Sequence, residues 1–144
     1  MSVLSFILTI LVGVIIFFLG QFALNFFFEP IRELNKSKGE ICKVLSFNRN
    51  KYLNPGMETI EELLKISEKI RKLATELLSI RNMLKGNKFF SMLNSSIKYE
   101  NILEAEKLLF GLSNNIGKIS SKEEKEKIYS YENDIEKALN IKFT

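Results

Sequence analysis

The N-terminal segment of the chain is apolar and uncharged over a length that a folded soluble domain cannot easily cover. Residues Ser2 to Phe28 read SVLSFILTILVGVIIFFLGQFALNFFF and contain no Asp, Glu, Lys or Arg. As a helix rising ~1.5 Å per residue, this segment would extend ~40 Å, whereas the hydrocarbon core of a bilayer is ~30 Å thick. A helix that is apolar on every side is buried in a large protein or in a membrane. The sequence therefore predicts a transmembrane helix over residues 1–28.

A cleaved signal peptide is the main alternative for this segment. Its usual marks are a positively charged start, a shorter apolar run and a small-residue cleavage site. No Lys or Arg precedes the apolar run, and no A-x-A-like site follows it. We therefore expect the segment to be retained as an anchor.

The flanking charges predict the orientation of this anchor. Basic residues follow the span but do not precede it, and they are Arg32, Lys36, Lys38, Lys43, Arg49 and Lys51. Since positive charge is retained on the cytoplasmic side, we expect a single-pass inner (plasma) membrane protein with a cytoplasmic C-terminal domain. Arg32, Lys36 and Lys38 are expected to contact anionic lipid headgroups, each contributing ~1 kcal/mol.

Small residues inside the span fall on one face of the predicted helix. With 3.6 residues per turn, an arc of about 80° contains all of its Ser, Thr, Gly and Ala residues. These are Ser2, Ser5, Thr9, Gly13, Gly20 and Ala23. Small side chains let helices approach closely in lipid, so Ser5, Thr9, Gly13, Gly20 and Ala23 predict a face for homo-oligomerisation. The alternative is a lipid-facing helix on which the small residues are incidental.

Two amides, Gln21 and Asn25, lie one turn apart on a different face of the span. In a membrane-embedded assembly, such groups bond between helices or line a wet path, as in a pore. The alternative is that they sit close to the cytoplasmic interface, because both lie late in the span.

The rest of the chain has the periodicity of helices. A juxtamembrane helix is predicted over 29–53, with Pro30 able to kink it, and its apolar stripe would share the side of the small-residue face if it ran on unbent. Further helices are predicted from about Met57 to Leu84, from about Lys98 to Ile116, and from the capping boxes at Ser120 and Ser121 to about Leu139. We expect an all-α fold, in which 54–144 forms a small helical bundle completed by the juxtamembrane helix.

The connection from Lys85 to Lys98 carries a short apolar cluster of Phe89, Phe90, Met92 and Leu93. This cluster is expected to anchor the connection to the core. If it is exposed instead, it marks a contact site.

The residue inventory argues against catalysis. The chain has no His, a single Asp (Asp134) and a single Cys (Cys42), which excludes Ser-His-Asp triads, Cys-His pairs and His-ligated metals. Fragments starting at Arg49 and Arg81 look like the Arg-x4-6-His motif of RNA-cleaving HEPN domains, but both lack the histidine that would transfer protons. We expect no enzymatic activity, no cofactor, no metal and, at a net charge of +4, no specific nucleic-acid partner.

Cys42 lies on the juxtamembrane helix, where palmitoylation is one role open to it. The other is that of a small core residue, because free cysteine packs as a small hydrophobe.

Several short segments carry a family resemblance. They are FFEPIRE from Phe27 to Glu33, GEI from Gly39 to Ile41, NPG from Asn54 to Gly56 and LFGLSN from Leu109 to Asn114. The chain resembles a family of small bacterial membrane proteins with one N-terminal span and a helical cytoplasmic part, and the resemblance implies architecture rather than activity. Its layout is also similar to that of the membrane accessory proteins of type VI CRISPR systems, which implies a ring of copies around a pore.

These observations lead to two functional hypotheses. The first is a non-enzymatic membrane protein that self-associates through its transmembrane helix, with a pore-forming or membrane-perturbing effector of prokaryotic defence as its specific form. The second is a membrane-tethered binding module that recruits a cytoplasmic protein partner. Oligomeric state distinguishes the two hypotheses.

Overall fold

The computed structural model describes residues 3–54, 56, 58–84, 98–118 and 121–143. Every regular element in these ranges is helical, which confirms the all-α prediction of a long apolar N-terminal helix followed by packed helices. The predicted apolar cluster at Phe89, Phe90, Met92 and Leu93 lies outside the described residues.

A single helical rod connects the predicted span to the bundle. It consists of α1 (Val3–Ala23), a π turn (Leu24–Phe28) and α2 (Glu29–Leu53), which together form 51 continuous residues. Its most apolar window has a mean hydropathy of 2.9, so by length and composition it could cross a membrane. At ~1.5 Å per residue the rod is ~75 Å long.

The π turn explains how the helix passes Pro30 without ending. Proline has no amide hydrogen, and its ring clashes with the carbonyl of the fourth preceding residue. In the wide turn before it, the amide of Glu29 donates to the carbonyl of Leu24, five residues back. A π turn holds one extra residue, which rotates α2 relative to α1 by ~100°. The alignment expected for an unbent helix is therefore lost.

Helix α3 (Ile60–Leu84) runs back along α2, and α4 (Tyr99–Asn115) follows it. The predicted start of α3 at Met57 was three residues early, because Thr59 caps the helix. Its hydroxyl accepts from the amide of Glu62 at 3.2 Å, and its carbonyl accepts from the amide of Leu63. Helix α4 is one residue shorter at each end than predicted.

Helix α5 (Lys122–Leu139) begins with the capping box that the sequence predicted at Ser121. The Ser121 hydroxyl accepts from the amide of Glu124 at 3.2 Å, and the Glu124 carboxylate accepts from the amide of Ser121 at 3.0 Å. The second predicted box, at Ser120, lies outside the described residues. Asn140 ends the helix in the left-handed conformation at a φ of 50°.

The tail after α5 returns to the juxtamembrane helix. Phe143 is buried, and the thiol of Cys42 donates to the carbonyl of Lys142 at 3.0 Å. Cys42 is half-buried against the core, as expected for a small core residue. It lies 14 residues beyond Phe28, the last residue of the predicted span, which is ~21 Å along the helix.

The core lies between the four helices α2 to α5. Helix α3 packs against α2 on one side and α4 on the other, and α5 packs against α4. The fully buried Leu and Ile residues are Leu34, Ile41, Leu45, Ile70, Leu77, Ile102, Leu109, Leu112, Ile128, Ile135 and Leu139. Gly111 permits a close approach of α4 and α5, because a Cβ there would lie 2.9 Å from the Tyr131 ring.

Candidate functional site

The residues predicted to form the association face are placed on the uncovered surface of α1. No residue of α1 is buried. The space beside Gly13 and Gly20 is open, since a Cβ built on either glycine meets nothing within 4 Å. The hydroxyl of Thr9 donates to the carbonyl of Ser5 at 2.9 Å, so its donor is already satisfied within the helix. Association at this face would therefore depend on close packing.

The two amides of the span share a surface with residues beyond it. Gln21 and Asn25 line one shallow concavity that continues along the rod past the π turn to Glu29, Arg32 and Asn35. This concavity brings the predicted polar pair and one of the three predicted lipid-contacting cations onto one side of the rod.

The three cations predicted to contact lipid headgroups have different surroundings. Arg32 is exposed and lies 2.8 Å from Glu29, while Lys36 is exposed and lies 4.0 Å from Glu33. Lys38 is half-buried, and this burial lowers the pKa of its ammonium group. Because burial restricts its reach, Lys38 is a weaker candidate for headgroup contact than Arg32.

A buried carboxylate joins α2 to α5. Glu132 is fully buried, and its Oε1 accepts from the hydroxyl of Tyr52 at 2.6 Å. The guanidinium of Arg49 donates to both carboxylate oxygens at 3.2 Å and lies 5.6 Å from the centre of the Tyr129 ring. Burial, the hydrogen bond to Glu132 and the charge of Glu132 all raise the pKa of Tyr52.

A second cluster of the same composition joins α3 to α4. Arg81 Nε donates to Glu106 at 2.8 Å, and Arg81 Nη1 donates to the hydroxyl of Tyr99 at 3.0 Å. These hydrogen bonds raise the pKa of Arg81. The fold therefore contains an Arg-Glu-Tyr cluster at each of two helix pairs, α2 with α5 and α3 with α4.

These clusters account for both arginines of the nuclease-like fragments. Arg49 and Arg81 each bond to a largely buried glutamate on a neighbouring helix, so their guanidinium groups are engaged inside the fold. Within the described ranges, moreover, no group of three or more Asp, Glu or Cys side chains is placed to hold a metal ion. The arrangement holds neighbouring helices together.

Sequence reasoning did not identify the two buried glutamates. The available signal was their spacing, because each occupies a position of a buried stripe with i, i+4, i+7, i+11 spacing. The two stripes are Ile102, Glu106, Leu109, Ser113 and Ile128, Glu132, Ile135, Leu139. An acidic residue inside such a stripe predicts a buried cationic partner.

A groove lies between α2 and α3 on the outer side of the core. It has a volume of about 540 Å³, and Val44, Leu73, Ile80 and Met83 supply its apolar lining. Ser37 also lines it and is 5% exposed. Among the described residues, Ser37 Oγ is the one buried side-chain polar atom without a hydrogen-bond partner.

Charged residues on both walls of the groove carry opposite signs. On α2 the groove is lined by Lys36 and Glu40, and on α3 by Lys69, Lys72 and Glu76. Apart from the contact of Lys36 with Glu33, these groups form no ion pair within the described part of the chain. They are therefore available to groups that enter the groove.

Comparison with known proteins adds no relative to this description. No family model, curated protein or solved structure matches the chain. The resemblance to small bacterial single-span proteins stays a prediction, and the functional argument depends on the geometry described above.

Proposed function

We propose that this chain is a non-enzymatic, single-pass membrane protein that self-associates through its transmembrane helix and holds its helical bundle in the cytoplasm. The observation that carries the proposal is the uncovered small-residue face of α1. Gly13 and Gly20 leave open space on a helix with no buried residue. In lipid, such open surface favours close packing against another helix of the same kind.

The positive charge after the span supports the cytoplasmic orientation of the bundle. In an assembly, Gln21 and Asn25 lie on a different face from the small residues. They are therefore available to bond between helices or to line a water-filled path. A pore-forming effector is the specific form of this function in which Gln21 and Asn25 line a water-filled path.

The mass of the protein in lipid nanodiscs tests this proposal. We expect a defined multimer for the wild type and a shift toward monomer for Gly13→Leu plus Gly20→Leu, because leucine fills the space that close packing requires. The matched control is Leu8→Phe plus Ile15→Phe, which adds bulk on a side of α1 away from both the small-residue face and the face of Gln21 and Asn25, and should leave the mass unchanged.

A monomeric wild type would overturn self-association and favour the tethered binding module. Ion flux through vesicles that contain the purified protein tests the pore. Flux that falls in the glycine variant and persists in the control would support a pore formed by the assembly. A multimer without flux would support association and reject the pore.

A further inference from the structure

The outer groove between α2 and α3 has the features of a contact surface. Its floor is apolar and is supplied by Val44, Leu73 and Ile80, while Met83 at its membrane-proximal end is 57% exposed. The charged residues of one wall form no ion pair with those of the other within the described part of the chain. An apolar centre with a charged rim is typical of a protein contact surface.

The charges on the two walls form a ladder of alternating sign. Because α2 and α3 run antiparallel with the same rise per residue, residues that line the groove together stand at matching heights. Because α2 ends at Leu53 and α3 begins at Ile60, Glu40 lies near the height of Lys72, and one turn closer to the membrane Lys36 lies near the height of Glu76. At these two heights, one wall is positive and the other is negative. Glu33 and Lys69 also line the groove and extend it beyond the two pairs.

The membrane restricts how two copies of this chain can meet. Copies inserted in the same direction are related by a two-fold axis parallel to the membrane normal. Helix α2 continues the span, so it runs away from the membrane. A two-fold axis of this kind that brings two grooves together places α2 of one copy opposite α3 of the other at equal height.

This symmetry converts the ladder within one chain into complementarity between two chains. Glu40 then faces Lys72 of the second copy, and Lys36 faces Glu76 of the second copy. Both contacts occur twice, because the interface is isologous. We propose that the α2/α3 groove is the surface through which the bundles of two membrane-anchored copies bind each other. The inference rests on the anchoring and shared orientation of the proposed function, but not on its association face in α1.

A site-directed cross-link between differently tagged copies tests the groove contact. In the full chain with Cys42→Ser, one copy carries Lys36→Cys and the other carries Glu76→Cys, so only a contact between chains can form the disulfide. We expect cross-linked dimers in nanodiscs with this pair. The matched control, Lys36→Cys in both copies, should give few cross-linked dimers, because the two α2 helices lie diagonally across the two-fold axis and not opposite each other.

Charge reversal then tests the ladder. With Glu40→Lys in both copies, or with Lys72→Glu in both, like charges face each other, and we expect about tenfold less cross-linked dimer. With Glu40→Lys in one copy and Lys72→Glu in the other, every pair is again of opposite sign, and the yield should return. No folding defect in a single variant can produce this recovery, since each mixture contains the same impaired chains.

The outcomes separate the two proposals. Multimers that form without the Lys36–Glu76 cross-link would overturn the groove contact and leave span association standing. A cross-link that persists in the Gly13→Leu plus Gly20→Leu variant would support the groove contact even if span association fails. A cross-link that is insensitive to the charge reversals would overturn the ladder and, with it, the assignment of this groove to a second copy.

Discussion

The hydroxyl of Tyr52 lies 2.6 Å from the carboxylate of Glu132, although 80 positions separate the two residues in the chain and both side chains are fully buried. Arg49 completes this cluster from one turn earlier on α2. The pair connects the C-terminal end of α2 to the last helix of the bundle. Its stability therefore determines how firmly α5 is held to the rod.

We expect Arg49→Met to destabilise the bundle by about 3 kcal/mol or more, because it leaves the buried Glu132 carboxylate without its cation. Glu132→Met should cost less, since Arg49 is 32% exposed and can be hydrated. Replacing both should give a bundle more stable than Arg49→Met, because no uncompensated charge remains. A cost of about 1 kcal/mol should persist, because the buried Tyr52 hydroxyl loses its 2.6 Å bond and keeps only a 3.4 Å contact with the Leu45 carbonyl. Chemical denaturation of the full chain in detergent, followed by circular dichroism, measures all three. A double variant as unstable as Arg49→Met would contradict this account.

The raised pKa of Tyr52 predicts a loss of stability in alkali. The hydroxyl ordinarily titrates near 10.0, and burial beside the Glu132 carboxylate keeps it protonated above that value in the folded protein. Its contribution is complete below pH ~10 and declines as the pH rises above that value, where only the unfolded chain releases the proton. We expect Tyr52→Phe to be less stable than wild type at neutral pH and to lose less stability above pH ~10.

Tyr129→Phe is the control when the free energy of unfolding of Tyr52→Phe and of the wild type is measured as a function of pH. Tyr129 is 41% exposed and presents its ring to Arg49, a contact that phenylalanine retains. This variant should follow the alkaline profile of the wild type. If both variants lost equally little stability above pH ~10, the effect would belong to tyrosines in general and not to the buried hydroxyl of Tyr52.

Gly111→Ala should destabilise the contact between α4 and α5. The added methyl would stand 2.9 to 3.1 Å from atoms of the Tyr131 ring, so one of the two helices must shift. Overpacking of this kind costs about 1–3 kcal/mol. Gly39→Ala is the matched control, because Gly39 lies within α2 and a Cβ there meets nothing within 4 Å. Alanine at that position should stabilise the helix by up to ~1 kcal/mol. The same sign at both positions would contradict the close approach.

The elements that the sequence predicted well are those encoded locally. A long uncharged apolar run predicts the rod through the membrane, and apolar periodicity predicts the three helices after it. The capping box at Ser121 depends on only four residues, so it was readable as well. The start of α3 was misplaced although Thr59-Ile60-Glu61-Glu62 has the same S/T-x-x-E capping pattern, so this boundary was readable from the sequence too.

The features that were not predicted are those that depend on distant partners. Glu106 and Glu132 interrupt two buried stripes, but the arginines that pair with them lie on other helices, which spacing along one helix does not identify. The π turn before Pro30 depends on a choice between a break, a kink and a wide turn, which the local sequence left open. The groove is formed by two antiparallel helices, so its lining has no signature in either helix alone.

If α1 spans a bilayer as proposed, its unbroken passage into α2 makes the bundle a lever on that bilayer. A flexible linker would let the bundle turn freely, whereas a continuous helix transmits every tilt and rotation of the span. Transmembrane helices commonly tilt by ~20°, and over the ~38 Å of α2 such a tilt would displace its outer end by ~13 Å parallel to the membrane. Bilayers of different thickness impose different tilts. The thickness of the surrounding lipid would then set the lean of the bundle and, in the proposed pair of copies, the direction in which its groove faces.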